Sequence, residues 1–280
     1  MAAIPPKPEQ QIIDRVYSAY EREKSAASPD MYLGRLGSSF IGEECVRNIW
    51  LEWRGFARKQ FPGRMLRLFE TGHHQESRVV SDLRRAGFAT WDKTETGEQY
   101  EWRDETGHFV TKIDGIIKGV PESDKPHLLE IKTHNKNSFS TLTKKGVQEA
   151  KPLHYAQMQI SMALGGFSRG LYVSVCKDDE QLHVERVRED PATQQQLKQK
   201  IIKLVDARLR PAGISDDGNS YGCKFCDMRA VCLREEPPVR QCRSCSMCSP
   251  GPEGTWVCGL TSSTLSLDQQ RAACDEYEAL

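Results

Sequence analysis

Two short apolar runs in the middle of the chain carry charged residues where a half-buried strand would normally have Val or Ile. The runs cover residues 110–117 and 127–131, and a turn rich in Pro, Asp, Ser and Lys separates them, which predicts a β-hairpin. Asp114 lies in the first run, while Glu130 and Lys132 lie two residues apart, on the same face of the second strand. Converging carboxylates are costly to bury, and a divalent cation would offset their charge and activate water. The pattern therefore predicts a metal site, with a solvated hairpin that carries an ordinary ion pair as the alternative.

The composition limits where a nucleic acid would bind. Among 280 residues, Lys and Arg together number 39 and Asp and Glu together number 39, so contact with DNA would need local basic patches. No stretch of the sequence is long and apolar enough for a membrane span, and the first residues lack the apolar core of a signal peptide. We therefore expect a soluble, cytoplasmic protein that makes no membrane contact.

Hydrophobic periodicity predicts alternating helices and strands on both sides of the hairpin. Helices are expected over residues 9–24, about 40–53, 66–86, 153–164 and 194–209, and further strands over 88–91, 99–103, 171–176 and 182–187. The order helix, three strands, helix and strand predicts an α/β core with a mixed central sheet flanked by helices.

This succession of elements, with the residues in place, resembles the PD-(D/E)xK core of the RecB-like exonucleases over residues 66–187. The resemblance implies a restriction-endonuclease-like α/β fold. It also implies a metal-dependent deoxyribonuclease that hydrolyses phosphodiester bonds from DNA ends in recombination, repair or end processing. The expected substrates are single- or double-stranded DNA ends, and a recombination or CRISPR-type protein is a candidate partner.

The resemblance also assigns roles to individual residues. Asp114, Glu130 and the backbone carbonyl of Ile131 would bind one or two Mg²⁺ or Mn²⁺ ions. Lys132 would orient the attacking water or offset the charge that develops on the phosphate. Gln157 matches a glutamine that the family places on the helix after this strand, and it would position the DNA.

The third metal ligand is where this chain departs from the family pattern. The relatives have a glycine followed four residues later by a histidine ligand, whereas here Gly72 is followed by Glu76. Helical spacing places His74 on the outer face, while His73 and Glu76 extend the buried stripe. A carboxylate also suits Mg²⁺ better than an imidazole does. We therefore expect Glu76 to bind the metal and His73 to support it, with His73 as the alternative ligand.

Three cysteines late in the chain, Cys223, Cys226 and Cys232, have the spacing C-x2-C-x5-C. In the CRISPR-associated and AddB-type members of the family, such a trio joins one distant N-terminal cysteine to hold a [4Fe–4S] cluster. Cys45, on the apolar side of an expected helix, is the natural fourth ligand. Four thiolates also suit tetrahedral zinc, so iron–sulfur is favoured and zinc remains the alternative.

A second group of cysteines occupies the last part of the chain. Residues 237–280 are too few to form a core unaided, so a stabilising metal is expected there. Two pairs of thiolates would close a structural zinc site, and the favoured ligands are Cys242, Cys245, Cys258 and Cys274. Cys248 is the substitute if Cys274 is free, and a disordered tail with loose thiols is the alternative.

The expected organisation has four parts. They are an N-terminal helical region at 1–65 that carries Cys45, a nuclease core at 66–212, an iron–sulfur segment at 213–236 and a zinc module at 237–280. A non-catalytic DNA- or partner-binding protein with a relic nuclease core is the alternative from another functional class. A restriction-type endonuclease on the same core is a second alternative, although the cysteine sets argue against it.

Overall fold

The computed structural model describes residues 8–27 and 33–280. Its helices are α1 Pro8–Ala27, α2 Ser38–Ile41, α3 Val46–Trp53, α4 Gly63–Arg85, α5 Lys136–Ala150, α6 Pro152–Gly165, α7 Pro191–Asp206, α8 Tyr221–Lys224, α9 Arg229–Cys232 and α10 Leu267–Ala272. Its strands are β1 Leu36–Gly37, β2 Ala89–Trp91, β3 Glu101–Arg103, β4 Phe109–Lys112, β5 Gly115–Lys118, β6 His127–His134, β7 Arg169–Cys176, β8 Leu182–Arg188, β9 Cys248–Pro250, β10 Trp256–Cys258 and β11 Ser263–Thr264. No helix within these ranges combines the length and apolarity needed to cross a membrane.

The central sheet has the strand order β2-β5-β6-β7-β8. Strands β6 and β7 run parallel and the other pairs run antiparallel, so the predicted mixed sheet is confirmed. The predicted hairpin is β5–β6, with Gly115 opposite Leu129. The first apolar run is nevertheless divided, because β4 belongs to a separate sheet of order β1-β4-β3. Asp114 lies in the short break between β4 and β5, where the chain passes from one sheet to the other.

Helices cover both faces of the central sheet. Helix α4 packs Val79 and Val80 against the face that carries Leu129 and Val173. On the opposite face, α5 and α6 pack against the side chains of Leu128, Tyr172 and Val187. Because side chains alternate along a strand, Glu130 and Lys132 share the α5–α6 face with Leu128.

The helix expected over about 40–53 is two helices, which corrects the prediction. Helix α2 ends at Ile41, and Cys45 is the N-cap of α3 rather than a residue on a continuous apolar face. The break lies where Gly42 meets α6. A Cβ atom at Gly42 would lie 2.8 Å from the Cβ of Ala156, so the chain turns where α6 passes closely.

The C-terminal segment is part of the main core. Strands β9, β10 and β11 form a small antiparallel sheet. Trp256 of this sheet is buried in one cluster with Trp50 and Trp53 of the N-terminal region, and its ring lies 5.1 Å from that of Trp53. The division expected at residue 237 therefore does not coincide with a boundary in the packing.

Candidate active site

Asp114 is fixed against β6 by a hydrogen bond to the backbone. The amide of Ile131 donates to Oδ2 of Asp114 at 2.7 Å. Strand β5 and the hairpin turn separate the two residues in sequence. The carboxylate of Asp114 is thereby held beside the strand that carries Glu130 and Lys132. The sequence-predicted trio of Asp114, Glu130 and Lys132 is therefore gathered at one place.

Glu130 and Lys132 form a buried ion pair. The Glu130 side chain is 0% exposed, and its Oε1 accepts a hydrogen bond from Nζ of Lys132. Lys132 Nζ also donates to the carbonyl of Ile131 at 3.3 Å and lies 4.0 Å from Oδ2 of Asp114. The second oxygen, Oε2 of Glu130, is buried and has no hydrogen-bond partner among the described residues.

Burial governs the electrostatics of this pair. Burial raises the pKa of Glu130 to about 7, and the negative charges of Asp114 and Glu76 act in the same direction, while Lys132 opposes them. Burial disfavours the charged form of Lys132, but Glu130 and Asp114 outweigh it and raise the pKa of the ammonium above its ordinary value. Lys132 therefore stays protonated, and this one positive charge faces the three carboxyl groups of Asp114, Glu130 and Glu76.

Of the three candidates on α4, Glu76 and His73 line the cleft beside Asp114. Burial and the nearby carboxylate of Asp114 raise the pKa of Glu76. His74 lies elsewhere, since its side chain is 78% exposed and its Nε2 faces Oε1 of Glu70 at 3.9 Å. Helix α4 thus turns Glu76 and His73 toward the site and His74 away from it.

Gln157 of α6 lines the same cleft, which has a volume of about 1020 Å³. The cleft wall also includes basic and aromatic side chains from four other parts of the chain: Arg35, Phe40, Lys59, Phe61, Lys93 and Lys112. Gln159, two positions further along α6, has a different role. Its Nε2 donates to the carbonyl of Arg188 at 2.8 Å, and its Oε1 accepts from the backbone N–H of Asp190 at 2.9 Å.

The donor set at Asp114 and Glu130 suits a hard divalent cation. Mg²⁺ and Mn²⁺ prefer carboxylate and carbonyl oxygens, and the unpartnered Oε2 of Glu130 is such an oxygen in a place where it is costly to leave unsatisfied. Within residues 8–27 and 33–280, no three His, Cys, Asp or Glu side chains lie close enough together to hold an ion as they stand. A cation would therefore bind with side-chain rearrangement.

The first cysteine set surrounds one small cavity. Cys45, Cys223, Cys226 and Cys232 all line a space of about 30 Å³ between α3 and the α8–α9 segment. Burial raises the pKa of the Cys226 thiol, and the nearby thiols of Cys45 and Cys232 add to that rise. The chain thus brings the N-terminal cysteine and the late trio to one cavity, although the four thiols do not lie close enough together to hold an ion as they stand.

In the C-terminal group, Cys242 is the thiol whose pKa three other cysteines affect. Burial raises the pKa of Cys242, with further contributions from Cys274, Cys245 and Cys258. Burial also raises the pKa of the Cys248 thiol to about 12, and Cys242 and Cys245 add to that rise while Arg54 opposes it. Cys248 lies opposite Cys258 in the β9–β10 ladder, so it remains the substitute for Cys274 in the expected set of Cys242, Cys245, Cys258 and Cys274.

Sequence reasoning missed a polar network beneath the site. Tyr172 OH lies 3.0 Å from Nε2 of His134 and 2.8 Å from Nδ1 of His154. Ser138 Oγ lies 3.1 Å from Nδ1 of His134 and accepts a hydrogen bond from Nζ of Lys151 at 2.6 Å. The available signal was the period of two along β6, which puts His134 on the face of Glu130 and Lys132.

No family model and no curated protein matches the chain in sequence. Among solved structures, the protein SSO0001 is similar at 17% identity and a TM-score of 0.47, over 81% of this chain and 98% of that chain. An alkaline exonuclease (LHK-Exo) from Laribacter hongkongensis is similar at 16% identity and a TM-score of 0.43, over 67% of this chain and 90% of that one. A phage-related exonuclease from Haemophilus somnus 129PT is similar at 13% identity and a TM-score of 0.45, over 62% of this chain and 93% of that one. These similarities are weak, and the functional proposal below rests on the residues of the site.

Proposed function

We propose that this chain is a metal-dependent deoxyribonuclease that hydrolyses phosphodiester bonds from DNA ends. The observation that carries the proposal is the buried Oε2 of Glu130, which has no hydrogen-bond partner among the described residues and lies in a group with Asp114 and Lys132. A buried carboxylate oxygen without a partner is destabilising unless a cation binds it. Because the arrangement is destabilising by itself, cation binding explains it better than a role in stabilising the fold does.

Each residue of the group has a definite task in this proposal. Asp114, Glu130 and the carbonyl of Ile131 would hold Mg²⁺ or Mn²⁺, and Glu76 would join them with support from His73. A bound divalent ion would supply a nucleophilic hydroxide and offset the charge of the phosphate. Lys132, a permanent cation, would orient the water or stabilise the negative charge of the transition state. Gln157 would position the strand.

The cleft supports DNA as the substrate. Its walls combine the exposed cationic side chains of Arg35 and Lys93 with the aromatic rings of Phe40 and Phe61. Cations that follow a phosphate backbone and rings on which bases stack are the combination that single-stranded nucleic-acid sites use. The chain has no net charge, so this local grouping, rather than a global field, would bring DNA to the site.

The test is digestion of end-labelled linear DNA, single- and double-stranded, by anaerobically purified protein with Mg²⁺, with Mn²⁺ and with chelator. Cleavage should require the metal and should be lost in Asp114→Ala, Glu130→Ala and Lys132→Ala proteins that remain folded. Lys125→Ala is the matched control, because Lys125 is an exposed lysine of the same hairpin turn. Full activity in the Lys132→Ala protein would contradict the proposal.

The same assay separates the alternatives. A restriction-type endonuclease would cut closed circular DNA, whereas an exonuclease would leave it intact. A non-catalytic binding protein would retain DNA without cleaving it under any metal condition. The presence of Asp114, Glu130 and Lys132 together favours an enzyme over a relic core. A recombination or CRISPR-type protein partner would be sought by co-purification only after cleavage is established.

We further propose that the two cysteine groups bind metal as structural sites. A [4Fe–4S] cluster at Cys45, Cys223, Cys226 and Cys232 is supported by the single cavity that these residues line. Zinc at the C-terminal cysteines is supported by the pairing of Cys258 with Cys248 in the β9–β10 ladder and by the effect of Cys274, Cys245 and Cys258 on the pKa of Cys242. Anaerobic protein should then contain iron, sulfide and about one zinc per chain. Elemental analysis that finds zinc alone, at two per chain, would overturn the iron–sulfur assignment.

A further inference from the structure

The polar network on the α5–α6 face of the sheet is a continuous chain of hydrogen bonds. It runs from Lys151 to Ser138, then through His134 and Tyr172 to His154, over contacts of 2.6, 3.1, 3.0 and 2.8 Å. Both histidines are held neutral. Burial lowers the pKa of His134 to about 4 and that of His154 to about 3, and Lys132 and Lys151 act in the same direction on both rings.

The ammonium group of Lys151 at one end gives this series of hydrogen bonds a direction. An ammonium group only donates, so the Ser138 oxygen accepts from Lys151, and its own proton is then free to be donated to Nδ1 of His134. His134 then carries its proton on Nε2 and donates to Tyr172, whose own hydroxyl proton goes to Nδ1 of His154. This arrangement places each proton between Lys151 and Nδ1 of His154 in a hydrogen bond, and each bond polarises the next one. It leaves the last proton on Nε2 of His154.

His154 lies beside the site through its position on α6 and its bond to Tyr172. It lies three residues before Gln157 on α6, which puts the two side chains on the same side of the helix, one turn apart. Gln157 lines the cleft, and Tyr172, the hydrogen-bond partner of His154, lies opposite Glu130 in the β6–β7 ladder. The ring is half-buried and bonded to Tyr172 through Nδ1, so Nε2 faces away from the network.

We infer that His154 is a further DNA-contacting residue, whose Nε2–H, oriented by Ser138, His134 and Tyr172, donates to a phosphate oxygen of the strand held at Lys132. This inference rests on the proposed nuclease function. A neutral donor beside a cation binds phosphate without adding a group that titrates near pH 7, and its direction is set before the substrate arrives. His134 and Tyr172 are positioning residues, because they act on the DNA only through His154.

A spectroscopic experiment tests the orientation independently of cleavage. Histidine-ring ¹⁵N spectra of the full chain in chelator should show His154 as the neutral tautomer protonated on Nε2. Adding a short single-stranded oligodeoxynucleotide should shift the Nε2 proton of His154 and leave that of His134 nearly unmoved. Tyr172→Phe should remove the preference for this tautomer. Protonation of His154 on Nδ1, or no response to the oligonucleotide, would overturn the inference.

A rescue experiment tests the contact itself. The side-chain amide of glutamine places a donor near the position of Nε2, whereas that of asparagine places one near Nδ1. His154→Gln should therefore keep most of kcat/KM, while His154→Asn should lose about tenfold, the effect of one hydrogen bond to a charged group. Equal activity in the two variants would contradict the contact. Tyr277→Phe is the control for Tyr172→Phe, since it also removes one tyrosine hydroxyl that is hydrogen-bonded to another side chain, at 3.0 Å from Ser244 Oγ, outside the site.

The two proposals fail in different ways. If the oligonucleotide shifts the His154 signal but wild-type protein cleaves no DNA under any metal condition, the phosphate contact stands and the nuclease proposal fails. If wild-type protein cleaves DNA and His154→Asn cleaves it equally well, the nuclease proposal stands and the role of His154 fails.

Discussion

The guanidinium of Arg54 lies 5.3 Å from the ring centroid of Trp256 and is buried against it, with 1% of the arginine exposed. The ring of Trp50 lies 5.0 Å away from the same group. The guanidinium also donates to three backbone carbonyls of the C-terminal segment, those of Arg243, Cys245 and Cys248, at 2.7, 3.3 and 2.8 Å. Arg54 therefore holds the N-terminal helices and the C-terminal segment together.

Replacing Arg54 with Met should destabilise the fold strongly. The substitution keeps most of the side-chain length but leaves the three carbonyls without their donor. An unsatisfied buried group costs about 1–3 kcal/mol, so the free energy of unfolding should fall by on the order of 3 kcal/mol or more. Urea titration of the full chain measures this, with Arg64→Met as the exposed control, which should stay within about 0.5 kcal/mol of the parent. A loss as small as that of the control would show that the carbonyls find other donors.

The same contacts bear on truncation. If residues 237–280 were an independent module, removing them would leave a folded core. The shared burial of Trp50, Trp53 and Trp256 makes the opposite outcome the expected one, because the truncated chain would expose those rings and the Arg54 cation. Circular dichroism and size-exclusion chromatography of a chain ending at residue 236 should therefore show an unfolded or aggregated protein.

Gln157 and Gln159 offer a matched pair of substitutions on one helix. Gln157 lines the cleft, so Gln157→Leu should lower kcat/KM by about tenfold, the value of one lost hydrogen bond to a charged substrate, with little change in stability. Gln159 is bonded at both ends of its amide to the backbone of Arg188 and Asp190. Gln159→Leu should therefore cost about 2 kcal/mol in stability and leave the kinetics of the folded fraction unchanged. A loss of stability in Gln157→Leu and a loss of kcat/KM in Gln159→Leu would contradict these two roles.

Local patterns in the sequence were sufficient to place the hairpin, the helix that carries Gln157 and the mixed sheet. They were insufficient for α5, whose Ser, Thr and Lys residues give weak helical periodicity and whose Gly146 interrupts the helix at φ 75°. Its burial comes from Phe139, Leu142 and Val147 against the sheet, which only the tertiary structure supplies. The break before Cys45 has the same origin, since it depends on the close passage of α6 against Gly42.

Contacts between residues distant in sequence explain why the arrangement of the site was not predicted. The bond from the Ile131 amide to Asp114 joins residues that no periodic pattern relates, although each residue was a candidate by itself. The docking of the C-terminal segment is also invisible in the sequence, because Arg54 bonds to backbone carbonyls rather than to particular side chains. Candidate residues could thus be named from the sequence, whereas their arrangement required the fold.

The neutral state of His134 predicts an acid-sensitive fold. Burial lowers its folded-state pKa from 6.5 to about 4, with contributions from Lys151 and Lys132, while Ser138, Tyr172 and His154 complete its surroundings. Because the folded pKa is depressed, the unfolded chain binds the proton more readily. The stabilising contribution is therefore complete above pH 6.5 and is lost as the pH falls toward 4. Urea unfolding between pH 7.5 and 4.5 should show this decline, and His134→Gln should reduce its slope. An unchanged slope would assign the decline to other groups.

The C-terminal cysteines give a prediction about metal content. Cys274→Ser should lower the zinc measured per chain, because Cys274 belongs to the proposed ligand set and acts on the pKa of Cys242. Cys248→Ser should retain zinc, because burial raises the pKa of the Cys248 thiol to about 12, although the cation of Arg54 acts in the opposite direction. It should instead lower stability, since a polar hydroxyl would enter the core beside Trp256. Loss of zinc in the Cys248→Ser protein alone would make Cys248 the fourth ligand in place of Cys274.

The last prediction concerns the third ligand of the proposed catalytic metal, for which α4 offers His73, His74 and Glu76. Glu76 and His73 line the cleft, and Asp114 is close enough to Glu76 to raise the pKa of its carboxyl group in addition to the effect of burial. Glu76→Gln keeps the size of the side chain and removes its charge. It should therefore raise the Mg²⁺ concentration that gives half-maximal cleavage by at least about tenfold, which corresponds to about 1.4 kcal/mol of lost metal binding.

His74→Ala is the control on the same helix, because His74 is exposed and faces Glu70 rather than the cleft. It should leave the metal requirement unchanged. His73→Ala should raise the Mg²⁺ requirement by less than Glu76→Gln does if His73 supports Glu76 without binding the metal itself. Titration of activity with Mg²⁺ in all three proteins decides between the residues, since a large shift in His73→Ala and none in Glu76→Gln would make His73 the ligand. Glu76 is the expected ligand because its carboxylate is the harder donor and already lies in the field of Asp114.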